Sequence, residues 1–147
     1  MIWLALLACK GAPFDSGLAC TDIGCIDGLE IRFETDGWPA GRYVVALDLD
    51  GATETCTATL PFGDSPDDGC DGEASLSLIG TRLPAAQQAI GGVWLTRTDL
   101  SAVGLTLSRD DAVLVETTLT PEYETLAPNG EACGPVCRYA SEAVVVP

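Results

Sequence analysis

Arg42-Tyr43-Val44-Val45-Ala46-Leu47-Asp48-Leu49-Asp50-Gly51-Ala52-Thr53-Glu54-Thr55-Cys56-Thr57-Ala58-Thr59-Leu60 contains two strands and the turn between them. Tyr43, Val45, Leu47 and Leu49 fall on one face of a period-two pattern. Asp50-Gly51 matches a two-residue hairpin turn, where Gly supplies a positive φ. The partner strand, Thr53 to Leu60, turns Cys56, Ala58 and Leu60 inward and Thr53, Thr55, Thr57 and Thr59 outward. A row of threonines fits an antiparallel face that meets water.

The same pattern recurs on both sides. Leu29, Ile31 and Phe33 alternate with Glu30, Arg32 and Glu34 before Asp36-Gly37 breaks the run. Downstream, strands are predicted over Glu73–Ile79 with Leu76 and Leu78 inward, Gly92–Arg97 around Trp94, and Ala102–Ser108. Asp110-Asp111 turns the chain into Ala112–Leu119, with Val113, Val115 and Leu119 inward. A last strand lies near Tyr139–Val146. No segment keeps a 3.6-residue period, and Pro84 to Ile90 allows at most one short helical turn. Short strands at even spacing predict an all-β fold: a small antiparallel β-sandwich, immunoglobulin-like and stapled by disulfides, with a closed barrel as the alternative.

Composition narrows the function classes. The 147 residues carry 22 Asp plus Glu against 7 Lys plus Arg, a net charge of −15, and no His. Such a chain lacks the clustered cations that bind nucleic acid, and is not drawn to an anionic membrane surface. Without His there is no Ser-His-Asp or Cys-His catalysis and no His-ligated zinc. The sole lysine is Lys10, so Ser-Lys and Schiff-base chemistry have no suitable residue within the domain. Twenty-two acids make carboxylate pairs inevitable, so they do not single out a hydrolase. The expectation is a protein that is not an enzyme, with a carboxylate-based secreted hydrolase as the weakest alternative.

The N-terminus reads Met1-Ile2-Trp3-Leu4-Ala5-Leu6-Leu7-Ala8-Cys9. The apolar run is too short to span a bilayer; it has the character of a secretory signal. Leu6-Leu7-Ala8-Cys9 resembles the lipobox of bacterial lipoproteins. The resemblance implies cleavage before Cys9 and lipid on its sulfur, and Lys10 at the next position implies the outer membrane. Residues 1–8 are then a signal peptide, 9–19 the lipidated cysteine and a Gly- and Pro-containing tether, and 20–147 a single sandwich domain. Phe14-Asp15-Ser16-Gly17 matches the short aspartic-protease signature, but it falls in this tether.

Assigning Cys9 to the anchor leaves Cys20, Cys25, Cys56, Cys70, Cys133 and Cys137. An even number in an exported chain predicts three disulfides. Cys56 with Cys70 would close a modest loop. Cross-pairing of Cys20 and Cys25 with Cys133 and Cys137 would tie the chain ends to the sandwich, although spacing also allows local pairs and fifteen connectivities exist in all.

Two groups of residues are candidates for binding. Asp64, Asp67, Asp68, Asp71 and Glu73 lie on a Gly-containing loop that could offer oxygens to calcium, although the spacing departs from an EF-hand. A solvated acidic loop is the alternative, with no cofactor. Among the aromatics, Trp94 is expected in the core and Trp38 and Phe62 at the surface beside turns; clustered aromatics would serve a protein or glycan partner.

Overall fold

The computed structural model describes residues 20–63 and 68–147. The hairpin forms as its sequence dictates. Strand β2 (Gly41–Leu49) pairs antiparallel with β3 (Ala52–Leu60), Leu49 opposite Ala52. Asp50 and Gly51 between them take φ of 57° and 89°, the left-handed conformations that match the turn to the strands' twist. A second hairpin repeats the device. Strands β7 (Val103–Arg109) and β8 (Ala112–Leu119) are joined by Asp110 and Asp111, with φ of 49° and 68°. Asp110 Oδ1 accepts from the Arg42 backbone N–H at 2.9 Å, which ties this turn to β2.

The remaining strands are β1 (Gly28–Glu34), β4 (Gly69–Cys70), β5 (Ser75–Ile79), β6 (Ala89–Leu95), β9 (Glu124–Leu126) and β10 (Cys137–Val145). They form two five-stranded sheets, ordered β5-β6-β1-β10-β9 and β4-β3-β2-β7-β8. No α-helix occurs among the described residues; a single 3-10 turn covers Ala85–Gln87. All described pairings are antiparallel except β1–β10, which is parallel, with Gly28 opposite Tyr139. A parallel pair needs a long crossover, and here nearly the whole chain provides it.

Inward residues of both sheets make one core: Leu29 and Ile31 from β1, Tyr43, Val45 and Leu47 from β2, Val93 and Leu95 from β6, Leu105 and Leu107 from β7. The buried Tyr43 hydroxyl donates to the Pro39 carbonyl at 2.6 Å, so its polar atom is satisfied. Gln88, also buried, accepts from Phe62 N at 2.6 Å and donates to Leu83 O at 2.8 Å. It ties the end of β3 to the segment before β6.

Three disulfides join Cys20 to Cys133, Cys25 to Cys137 and Cys56 to Cys70. The first two bind the chain ends together beside the β1–β10 pair. Asn129 reinforces them: its side-chain oxygen accepts from Ile23 N at 3.1 Å, and its amide donates to Ile23 O and Gly134 O, each at 2.8 Å. Asp27 accepts from Arg138 N at 2.6 Å.

Two expected inward residues lie at the surface. The β7–β8 register shifts between Leu107 and Ser108, and Val113 is 60% exposed rather than inward. An extra residue in one strand reverses the side-chain alternation beyond it, here Leu114 on β8. In the β5–β6 pair the extra residue is Gly91 on β6, so the alternation of β5 is kept. Leu78 is 39% exposed because β5 is an edge strand, while Leu76 packs on the core. On the threonine face Thr53 is exposed, but Thr57 is buried where β4 pairs beside it.

Candidate functional site

Glu30 and Arg32 of β1 alternate with the buried Leu29, Ile31 and Phe33, so they point away from the core. On β6, Val93 and Leu95 are buried, and Trp94 between them lies on the outer face, half-buried. This corrects the expectation that Trp94 is a core residue. Its period-two position, between two inward residues, is the signal that places it outside.

Trp94 lies against Gly28, where a Cβ would come within 2.7 Å of the indole. The absent side chain at Gly28 makes room for the ring, one of the roles of Gly within a strand. Tyr139, opposite Gly28 on β10, brings a second ring: the two are nearly parallel, at 26°, with centroids 6.1 Å apart. That offset arrangement is a favoured aromatic geometry. The Tyr139 hydroxyl donates to Glu30 Oε2 at 2.6 Å, and Ser141 reaches the same oxygen at 3.5 Å. The bond to Glu30, with partial burial, holds the Tyr139 phenol above its ordinary ionisation range. Glu30 Oε1 makes no hydrogen bond to the described residues.

Beside this pair lies a cleft of about 200 Å³, lined by Glu30, Ser77, Gly91, Gly92 and Trp94. The row across it is Ser77, Gly92 and Arg32, one residue each from β5, β6 and β1. Gly92 cannot carry a side chain, since a Cβ there would stand 1.9 Å from the Ile31 carbonyl oxygen. Close packing of β6 on β1 thus leaves a floor without side chains between polar walls.

The outer face of the other sheet differs. Its broad depression of about 570 Å³ is lined by Ala46, Asp48, Gly104, Thr106, Glu116 and Thr118, and no aromatic residue contributes.

Trp38 and Phe62, expected at the surface, are half-buried against the core. Trp38 packs on Phe33 and edge-on to Tyr43, with centroids 6.0 and 5.0 Å away. Pro39 follows it, and the Tyr43–Pro39 bond folds this turn inward. Tyr123 also packs on the core, with the Arg138 guanidinium 5.3 Å from its ring centre.

Of the acidic-loop residues, Asp64 and Asp67 lie outside the described residues, as do Cys9 and Asp15. Asp68 accepts from the Thr59 hydroxyl at 3.1 Å and Asp71 from Thr55 N at 2.7 Å, so both fasten the loop to β3. Glu73 is exposed. Among the described residues no three metal-ligating side chains gather. The loop's described contacts are therefore structural, and the outer face of the β5-β6-β1-β10-β9 sheet is the site with convergent aromatic and polar chemistry. Comparison with protein-family models, curated proteins and solved structures finds no match to this chain.

Proposed function

We propose that this chain is a non-catalytic binding module, exported and held to the cell envelope by lipid on Cys9, with the outer face bearing Trp94 as its contact surface. One observation carries the reading: two aromatic side chains are held at the surface beside a carboxylate whose second oxygen has no hydrogen-bond partner among the described residues. Trp and Tyr are the residue types enriched in binding interfaces, because each combines apolar area with a polar edge. A net charge of −15 favours a neutral or basic partner. Three disulfides fit an oxidising compartment outside the cytoplasm. Among the described residues, no helix is long and apolar enough to cross a membrane.

Two experiments test this reading. A photoreactive amino acid at Ser75, on the Trp94 face, should give adducts on intact cells that Trp94→Ala abolishes. The same probe at Thr106, on the opposite sheet, should give none. Adducts from Thr106 alone would overturn the assignment of the face. Metabolic labelling with an alkynyl fatty acid should mark the chain and fail to mark Cys9→Ala; equal labelling of both would remove the anchor.

A further inference from the structure

We infer that the cleft beside Trp94 binds one ring of a neutral glycan. This rests on the binding face proposed above and names its ligand. At about 200 Å³ the cleft is smaller than the pockets that enclose drug-sized molecules, and it is open to the surface. A single pyranose ring is the scale of ligand it admits, with the rest of a chain left outside.

The walls fix the chemistry. A pyranose has an apolar C–H face and a rim of hydroxyls. The indole of Trp94 supplies an apolar, electron-rich surface for the C–H face. Glu30 Oε1 is an acceptor for sugar hydroxyls, while Oε2 is kept in place by Tyr139 and Ser141. Ser77 lines the cleft on the β5 side, where its hydroxyl is a further hydrogen-bonding group. Gly92 holds that floor clear, because its backbone is packed directly on Ile31. Beyond the cleft, the Trp94 and Tyr139 rings continue the platform toward β10.

Charge disfavours anionic ligands. Glu30 and Glu34 lie on either side of Arg32 in the outward row of β1, and Glu122, Glu124 and Glu142 line the depression beside Tyr139. A nucleotide could stack on Trp94, but its phosphates would be repelled. Uronic acid polymers meet the same field. An apolar peptide side chain would bury the Glu30 carboxylate without giving it a donor, which costs free energy. A neutral sugar supplies donors and carries no charge.

The test uses the full-length chain in a zwitterionic, sugar-free detergent. Calorimetry and tryptophan fluorescence would follow titration with cellohexaose, maltohexaose, mannohexaose and a galactohexaose, with tetragalacturonate as the anionic control. At least one neutral hexaose should saturate a single site and shift the emission. Trp94→Ala should weaken that binding by about tenfold or more. Because Trp94 also covers Gly28, two variants that retain it complete the test. Glu30→Gln removes the charged acceptor, and Ser77→Tyr on the exposed edge strand fills the cleft; both should weaken binding while leaving thermal unfolding nearly unchanged. The inference is overturned if no neutral hexaose binds, if tetragalacturonate binds more tightly, or if Ser77→Tyr binds like the parent. If the sugars fail while the Ser75 adducts persist and prove to be protein, the glycan assignment falls and the binding face stands.

Discussion

The two sheets contain the same number of strands and are built in opposite ways. The β4-β3-β2-β7-β8 sheet rests on two hairpins whose two-residue turns fix the register locally. The β5-β6-β1-β10-β9 sheet is centred on a parallel pair drawn from opposite ends of the chain, beside two disulfides and the Asn129 hydrogen bonds. Their outer faces differ too. The hairpin sheet presents threonines and small residues, whereas the end-to-end sheet presents Trp94, Tyr139 and Glu30. The lesson is that the face proposed for binding lies on the sheet whose central pair joins the most distant segments of the described chain. Its central pair is joined by covalent closure rather than by a local turn.

The largest expected effect tests that closure. The chain-end disulfides span 113 and 112 residues. Replacing all four of their cysteines with Ser opens the long loop and should cost about 7 kcal/mol on a chain-entropy estimate. Losing either pair alone should cost only about 2.5 kcal/mol, because the other still closes the long loop and just a small ring opens. Cys56–Cys70, with a separation of 14, should be worth about 3 kcal/mol on its own. Urea unfolding of the oxidised proteins measures all three. Equal losses from single and double removal of the chain-end pairs would break the contrast between the sheets.

A glycine from each sheet gives the next test. Gly92→Ala drives a methyl into the Ile31 carbonyl and should destabilise the protein by more than about 3 kcal/mol. Gly104→Ala on the hairpin sheet meets only the Asp48 Cβ, at 3.1 Å. Its cost should stay within about 1 kcal/mol, since Ala also lowers the entropy of the unfolded chain. A benign Gly92→Ala would mean that β6 and β1 are not tightly packed.

The hairpin sheet itself can be improved. Asp111 holds a φ of 68° that glycine adopts without steric cost. Asp111→Gly should therefore raise stability by about 0.5–1 kcal/mol. Asp110→Gly should not, because it removes the carboxylate that receives the Arg42 N–H. A higher urea midpoint for the first and a lower one for the second would show that the turn rests both on its local backbone conformation and on the Asp110 bond to β2.

The smallest effect lies on the binding face and depends on pH. The bond to Glu30 raises the Tyr139 phenol above its ordinary value of 10.0. Proton linkage then makes its contribution complete below that pH, and it is lost as pH rises through the folded-state value. Glu30→Gln should bring the phenol back toward 10.0 and flatten the alkaline fall in stability. Phenolate absorbance in the parent and the variant reads this directly; identical titrations would show that the bond does not govern the phenol.

The four long strands of the hairpin sheet were legible because turn and alternation lie within twenty residues of each other. Strand β1 and the region of β10 were legible for the same reason. Sequence reading missed β4 and β9, which have two and three residues, too few to show a period. It placed Val113 inward because a bulge leaves no local mark that alternation can detect, and Leu78 inward because alternation does not tell an edge strand from a covered one. Trp94 was expected in the core because it lies within a strand, although Val93 and Leu95 already take the inward positions.

By itself, the sequence determined the all-β character, the two tight turns, the even set of cysteines behind the lipobox-like start, and the absence of histidine chemistry. These depend on residue type and near spacing. Tertiary structure decided that β1 lies parallel to β10, that Cys20 meets Cys133 and Cys25 meets Cys137, and that Trp94, Tyr139 and Glu30 share one surface. Those three side chains belong to different strands. Their meeting is set by register across the sheet, which closes through contacts between residues more than a hundred positions apart.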